Sequence, residues 1–241
     1  MDDNQDKKAP SLGFGRADVI TVGLKGAIGA IPVAGTLFSE IISAIIPNQR
    51  IDRLEDYVQR LNKHLEGVSE EIISLRAKEP DAIDVFEEGA IQSARAISND
   101  RRDKIARLVA HGISGEERDR IEAKRLLNLL RQIDDDQLIM LCGYLHEYRN
   151  NSNFRDAHRK VTSLPRVSLD STQEEVDRVS IQNLAKAQLE SLGLLQSRYR
   201  LPKRGEMPEL DAQTGKIKAS STDLTPIART LLRRLGLMSD T

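Results

Sequence analysis

The sequence predicts a mainly α fold, helical from end to end apart from a short β excursion in the last third. Three observations predict it. Aromatic residues make up only 3% of the chain, with no Trp. The core must therefore be built from Leu, Ile, Val and Ala, which suits helix packing and disfavours a β-sandwich or barrel. Apolar residues recur at alternating spacings of three and four from Ile51 to Leu75, the period of a helix. The last third runs from a helical pattern through Leu192-Gly-Leu-Leu195 into two short alternating segments and then a final helix.

Taken in order, Met1 to Lys8 are charged and polar, and residues 1–16 are expected to be a disordered tail. Residues 17–47 are the least ordinary part of the chain. Fourteen uncharged residues, Gly26 to Ser39, lie between Lys25 and Glu40, and Ile41-Ile-Ser-Ala-Ile-Ile46 follows. Gly23, Gly26 and Gly29 recur every three residues. Pro32 removes a backbone donor and disfavours helix at Ile31, so the segment reads as a hairpin of two short helices, 17–30 and 34–46.

The next pattern, Ile51, Leu54, Val58, Leu61, Leu65, Val68, Ile72 and Leu75, is a heptad seam. It predicts one long helix over 50–78, with Gly67 a local weakness of about 1 kcal/mol relative to Ala. Pro80 opens a helix over 80–97, and Ser98 caps another over 99–111 that Gly112 ends. Ser114-Gly-Glu-Glu117 has the form of a capping box before the apolar positions Ile121, Leu126, Leu127, Leu130 and Ile133. Asp134 to Asp136 cap a helix running from Leu138 to Tyr148. The polar stretch 149–166 reads as a linker or long loop.

Ser171-Thr-Gln-Glu174 then opens a helix over 172–192. The segments Arg198–Leu201 and Lys216–Ala219 alternate like strands, and Thr225-Pro226 starts a last helix. Helix, Leu-Gly-Leu-Leu, hairpin, helix is the order of a winged-helix unit. The predicted organisation is a tail at 1–16, an apolar hairpin at 17–47, a helical body at 48–133 and a winged-helix-like domain with a small β wing at 134–241.

Composition narrows the function classes. Formal net charge is −1, so no whole-protein electrostatic footprint points to nucleic acid or an anionic membrane. Few aromatics argue against a base-stacking platform. The single cysteine, Cys142, excludes an intramolecular disulfide and fits a reducing compartment. No secretory signal opens the chain, so the cytoplasm or the cytoplasmic face of a membrane is the expected location.

The order of elements resembles the bacterial abortive-infection alpha family, small proteins linked to phage defence. The matching residues are Gly35-Thr-Leu-Phe-Ser-Glu-Ile-Ile42, the charged helix after Pro47, the helical middle from Phe86 to Ile113, Asn183-Leu184 with Leu192-Gly-Leu-Leu195, and Leu224-Thr-Pro-Ile-Ala-Arg-Thr-Leu-Leu232. Together they cover most of the chain, each motif short. Ile227-Ala228 stands where the family pattern has a Pro/Phe-Gly pair. The resemblance implies a role in defence and carries no catalytic residues.

Candidate sites follow from the residues. Gly26, Gly29, Pro32, Gly35, Phe38, Ile41, Ile42 and Ile45 form a segment for a membrane or a partner subunit. Lys25, Pro32 and Glu40 interrupt it, so a single spanning helix, which needs roughly 20 continuous apolar residues, is not expected. An interfacial or inserted hairpin, a buried hairpin, or a surface covered by another subunit is. No Gly-Lys-Ser/Thr follows the glycines, which excludes a phosphate loop. The heptad seam can pack within the chain or pair copies of it in a coiled coil. In the winged-helix-like domain Arg198, Arg200, Lys203, Arg204, Lys216 and Lys218 could meet phosphates. The helix before them offers Lys186 against Glu190, with Gln182, Asn183 and Gln188 as base contacts.

The histidines at 64, 111, 146 and 158 have no metal-ligand spacing. Glu70-Glu71 and Glu87-Glu88 lie beside bases at helical spacing as solvated faces, and Cys142 sits on an apolar helix as a buried thiol. The expectation is a non-enzymatic defence or toxicity-related protein without cofactor, homo-oligomeric or bound to a protein partner, with the inner-membrane surface a second contact. A winged-helix DNA-binding regulator and a helical oligomerisation scaffold are the alternatives.

Overall fold

The computed structural model describes residues 51–163, 167–168, 170–200, 207–210, 215 and 217–239. The expected hairpin at 17–47, with Gly26, Gly29, Pro32, Gly35, Phe38, Ile41, Ile42 and Ile45, lies outside the described residues. So do Lys203, Arg204 and Lys216. The described residues are mainly helical, with a small two-stranded antiparallel sheet. They form two compact units, the first ending at Glu116 and the second starting at Glu117. The helix holding Leu126, Leu127 and Leu130 thus belongs with the C-terminal unit, ahead of the expected boundary at 134.

In the first unit α1 (Ile51–Leu65), α2 (Glu70–Arg76), α3 (Pro80–Arg95) and α4 (Asn99–Ser114) follow one another. Helix α1 packs on α3 and α4, α3 on α4, and α2 on α4. The expected long helix over 50–78 does not form. It stops at Leu65, Gly67 adopts φ +88°, and Ser69 restarts the chain by accepting a hydrogen bond from the Ile72 amide. A left-handed residue ends a helix at least cost when it is Gly, and a Ser N-cap before Glu70-Glu71 favours a new start.

The break rotates the seam. Leu54, Val58, Leu61 and Leu65 are buried in the unit's own core, but Ile72 and Leu75 are 39% and 73% exposed while Ile73 and Ala77 turn inward. Val68 is half-buried. Pro80 opens α3 and Ser98 caps α4 as expected. Helix α4 continues through a buried Gly112 to Ser114, whose hydroxyl donates to the Ala110 carbonyl at 2.7 Å. Ser114 is therefore a C-terminal residue of α4, not the opening of a capping box.

In the second unit α5 (Glu117–Gln132) leads to α6 (Asp135–Cys142). Asp134 and Gln137 form a reciprocal capping box, at 2.7 and 3.0 Å. The expected helix to Tyr148 is cut at Gly143 and resumes as α7 (His146–Arg149), and the stretch read as a linker folds into α8 (Ser152–Ala157) and α9 (Arg159–Thr162). Asn151 caps α8, accepting from the Phe154 amide at 3.0 Å.

Helix α10 (Gln173–Ser191) is opened by Thr172 and Glu175 in a capping box, one residue later than the sequence pattern suggests. Gly193, with φ +69°, closes it. Strands β1 (Leu195–Tyr199) and β2 (Ala219–Leu224) pair antiparallel, Leu195 opposite Leu224. They start three residues away from the alternating segments expected, and Ile217 instead forms an isolated bridge with Leu210. The register places the apolar ends Leu194, Leu195 and Leu224 in the core with Leu189, Leu231 and Leu232. Thr225 caps α11 (Pro226–Arg234).

Candidate functional site

The C-terminal unit holds the features with functional content, and α10 organises them. Its buried residues are Val179 and Leu189. With about 100° between successive residues, Ile181 and Leu184 lie roughly 200° and 140° around the helix from Val179. They are accordingly 69% and 70% exposed. Ser180, Asn183, Ala187 and Gln188 are exposed beside them, and the exposed Asp177 lies one turn before Ile181 on the same face of α10. Two large apolar side chains exposed one turn apart make this face the candidate contact for another molecule.

The polar residues of α10 are largely occupied. Gln137, only 2% exposed, donates from Nε2 to the Ala185 carbonyl at 3.1 Å and to Gln188 Oε1 at 3.2 Å. Gln188 in turn donates to the Gln132 carbonyl at 2.6 Å. Gln182 donates to the Val161 carbonyl. Of the three expected base contacts, Gln182 and Gln188 thus hold the unit together, and Asn183 is exposed. Arg178 pairs with Glu174 at 3.1 Å.

Two of the six cations expected to meet phosphates are similarly matched. Arg198 on β1 pairs with Asp223 on β2 at 3.0 Å, and Lys218 pairs with Glu209 at 2.5 Å. Arg200 is exposed just beyond β1. A cation already neutralised by a carboxylate releases fewer counterions on meeting a phosphate.

A cleft runs along α6, the short helices α8 and α9, and α10. One chamber of about 990 Å³ is lined by Asp136, Asp156, His158, Arg159, Lys160 and Arg178. A second, of about 270 Å³, has Ile139, Met140 and Val161 on its walls and Tyr144, Tyr148 and Phe154 as its aromatic lining. The Tyr148 and Phe154 rings lie 4.8 Å apart, and Phe154 is again 4.8 Å from His158. Burial, then the charge of Glu190, pushes the Tyr144 phenol up. Burial, with Cys142 and Glu147 nearby, does the same for Tyr148. Both therefore stay neutral donors at physiological pH.

The remaining sequence candidates are dispersed. His64 lies 3.1 Å from Asp103, His146 is exposed on α7, and His111 and His158 stand on separate elements. Cys142 is buried. Glu70 and Glu71 are exposed, and Glu88 accepts from Gln92 at 2.8 Å. Among the described residues no group of three or more His, Cys, Asp or Glu could hold a metal ion, and no helix is long and apolar enough to cross a membrane.

Sequence reasoning missed Ile181, Leu184 and the aromatic chamber. The signal for the first pair was present: the apolar residues of 173–191 do not share one helical face. Comparison with family models, with curated proteins and with solved structures returns no match.

Proposed function

We propose that this chain is a non-enzymatic bacterial defence or toxicity-related protein that works through contacts with other proteins and with the inner membrane. The observation that carries the first half is the surface of α10. Ile181 and Leu184 stand exposed where a winged-helix regulator would present bases to the major groove, and the wing cations Arg198 and Lys218 are held by carboxylates. In this reading α10, the hairpin and α11 are a winged-helix-like module that docks on protein, a second copy of the chain included, instead of DNA.

The second half rests on the sequence of 17–47, where Gly26 to Ser39 carry no charge and Ile41, Ile42 and Ile45 follow. A segment of that kind binds an interface through its apolar face. The first unit buries Leu54, Val58, Leu61 and Leu65 internally, which supports packing of α1 within the chain over pairing with another copy.

Three measurements on one preparation test the proposal. The full chain should float with anionic liposomes, and Ile42→Asp should stop it floating. Sedimentation should show an assembly that Leu184→Asp weakens, with its thermal unfolding unchanged because the side chain is exposed. Duplex DNA at low salt should bind no more tightly than to an unrelated protein of equal charge. Tight, salt-dependent DNA binding lost on Arg198→Ala and Arg200→Ala would instead make the chain a regulator.

A further inference from the structure

The turn between α3 and α4 presents an apolar side chain at the end of the first unit that receives the chain from 17–47. Ala96 and Ser98 are both extended, at φ −67° and −84°, and Ile97 between them is 87% exposed. The backbone there is held in place. Arg102 donates Nη1 to the Ala96 and Ile97 carbonyls at 3.0 and 3.3 Å, and Nε to Asp56 of α1 at 2.5 Å. Arg53, in the first turn of α1, donates to the Ala94 carbonyl at 3.2 Å. The start of α1, the end of α3 and the start of α4 therefore share one end of the unit, and Ile97 projects from it.

Chain length ties the apolar run to this end. Ile46 stands five residues before Ile51, a reach of at most about 18 Å when fully extended. Any surface that Ile41 to Ile46 bind is thereby brought close to the Ile97 turn. Charge then favours a bilayer over a protein cover. Arg95 is exposed, Arg53 and Arg101 are half-buried, and Arg50 precedes α1. Of the nearby acids, Asp100 is held by Lys104, and Asp56 by Arg60 and Arg102, leaving Asp52 and Glu55 of α1. An exposed isoleucine flanked by arginines suits an anionic bilayer, where the apolar side chain enters the acyl boundary and the cations gain from the lipid phosphates.

The other end of the unit has the opposite character. Leu75 of α2 is 73% exposed, with Glu66, Glu70 and Glu71 exposed near it in the chain. Arg76 beside it donates to the Ser114 and Gly115 carbonyls, at the far end of α4. The 16 residues of α4 put about 24 Å between the two ends.

We infer that the α3–α4 turn is a second membrane contact of the chain: Ile97 enters an anionic bilayer, and Arg95, with Arg53 and Arg101, meets its phosphate groups. This rests on the reading of 17–47 as a membrane segment and adds a folded face to it, with α2 turned away from the lipid.

The chain has no Trp, so a single introduced indole reports on its own surroundings. The full chain carrying Ile97→Trp, or separately Leu75→Trp, is titrated with vesicles of phosphatidylethanolamine and phosphatidylglycerol. Ile97→Trp should emit as an exposed indole in solution, then shift to the blue and be quenched by brominated acyl chains once vesicles are added. Leu75→Trp should do neither. Ile97→Asp should weaken vesicle binding roughly tenfold, the scale of burying one isoleucine side chain, with an unchanged melting temperature. Blue emission from Ile97→Trp before vesicles are added would mean that the chain itself or a second copy covers the turn, and would overturn the inference. A chain that floats with no response from Ile97→Trp would overturn it too, while leaving the reading of 17–47 intact. Equal responses at both positions would mean unoriented adsorption and have the same effect. If the full chain does not float, the reading and the inference fall together.

Discussion

The Tyr57 hydroxyl sits where α3 has no side chain: a Cβ on Gly89 would lie 2.7 Å from Tyr57 Oη and closer still to the Val109 side chain. The ring of Tyr57 also meets Phe86, one turn earlier, with centroids 6.0 Å apart. Gly89 is thus the residue that lets α1, α3 and α4 close on one another. The hydroxyl is fully buried and unpartnered. This contact fixes the first unit and makes two opposite predictions at one place.

Gly89→Ala gains helix propensity yet should destabilise the chain by about 1–3 kcal/mol, because neither the tyrosine ring nor Val109 can move far in a packed core. Tyr57→Phe should be neutral or stabilising, since it removes a buried hydroxyl that has no donor or acceptor. Urea midpoints of the two variants check both signs. A stabilised Gly89→Ala would mean that the helices separate more easily than their packing implies.

The same tyrosine gives a pH dependence. Burial pushes its phenol far above the ordinary value. The neutral form is favoured by folding, so its contribution is complete below about pH 10, the unfolded value, and is lost as pH rises beyond it. Stability should fall above that pH by up to about 1.4 kcal/mol per unit. Tyr57→Phe should flatten the alkaline limb, as thermal unfolding across alkaline buffers would record.

Asp56 gives the acid limb. Burial alone would raise its carboxyl, but hydrogen bonds from Arg60 and Arg102 outweigh burial and hold it below the usual carboxylate range. Arg102, 7% exposed, donates Nε to Asp56 at 2.5 Å and Nη1 to the Ala96 carbonyl at 3.0 Å, so it ties α1 to the end of α3. Asp56→Asn should cost about 2 kcal/mol at neutral pH, the scale of a hydrogen bond to a charged group. The stabilisation is present above the ordinary Asp value and lost as pH falls through the lowered one. The gap between wild type and variant should therefore close in acid, and equal midpoint differences at pH 3 and pH 7 would refute the assignment.

Thr225 does two jobs where β2 meets α11. Its hydroxyl oxygen accepts from the Ala228 amide at 3.3 Å and its proton goes to the Gly193 carbonyl at 2.6 Å, joining the start of α11 to the end of α10. Thr225→Ala should cost about 1–2 kcal/mol, the upper part of the range for an N-cap. Thr225→Ser keeps both bonds and should recover most of it. Thermal unfolding of the pair separates the hydroxyl from the methyl.

The parts legible in the sequence are those decided by local chemistry. Pro80, Ser98, Asp134 and Thr225 each start a helix where the pattern places it. The seam failed at one residue: a 3,4 spacing counts Gly67 as a weak helical position, whereas Gly67 followed by Ser69 and two glutamates is also a stop and a start. Periodicity registers apolar spacing and is silent on φ. The aromatic chamber was illegible for a different reason. Residues 149–166 have too few apolar anchors to show a period, and their short helices exist because Asn151 caps one and Phe154 stacks between Tyr148 and His158. Those ring contacts are set by the fold, and spacing along the chain does not encode them.

The β1–β2 hairpin offers a gain-of-function test of what its acids do. Arg198 is held by Asp223 at 3.0 Å across the hairpin, and the two residues sit on neighbouring strands with their side chains on the surface. Asp223→Asn keeps the shape and the strand pairing while leaving Arg198 without its carboxylate. If neutralisation is what keeps this hairpin off phosphates, the variant should bind duplex DNA at low salt more tightly than the wild type. The salt dependence of that binding should steepen by about 0.9 in log–log slope for the one added phosphate contact. Fluorescence anisotropy with a labelled duplex measures both. An unchanged affinity would show that the direction in which the hairpin faces, and not its charge, keeps DNA away.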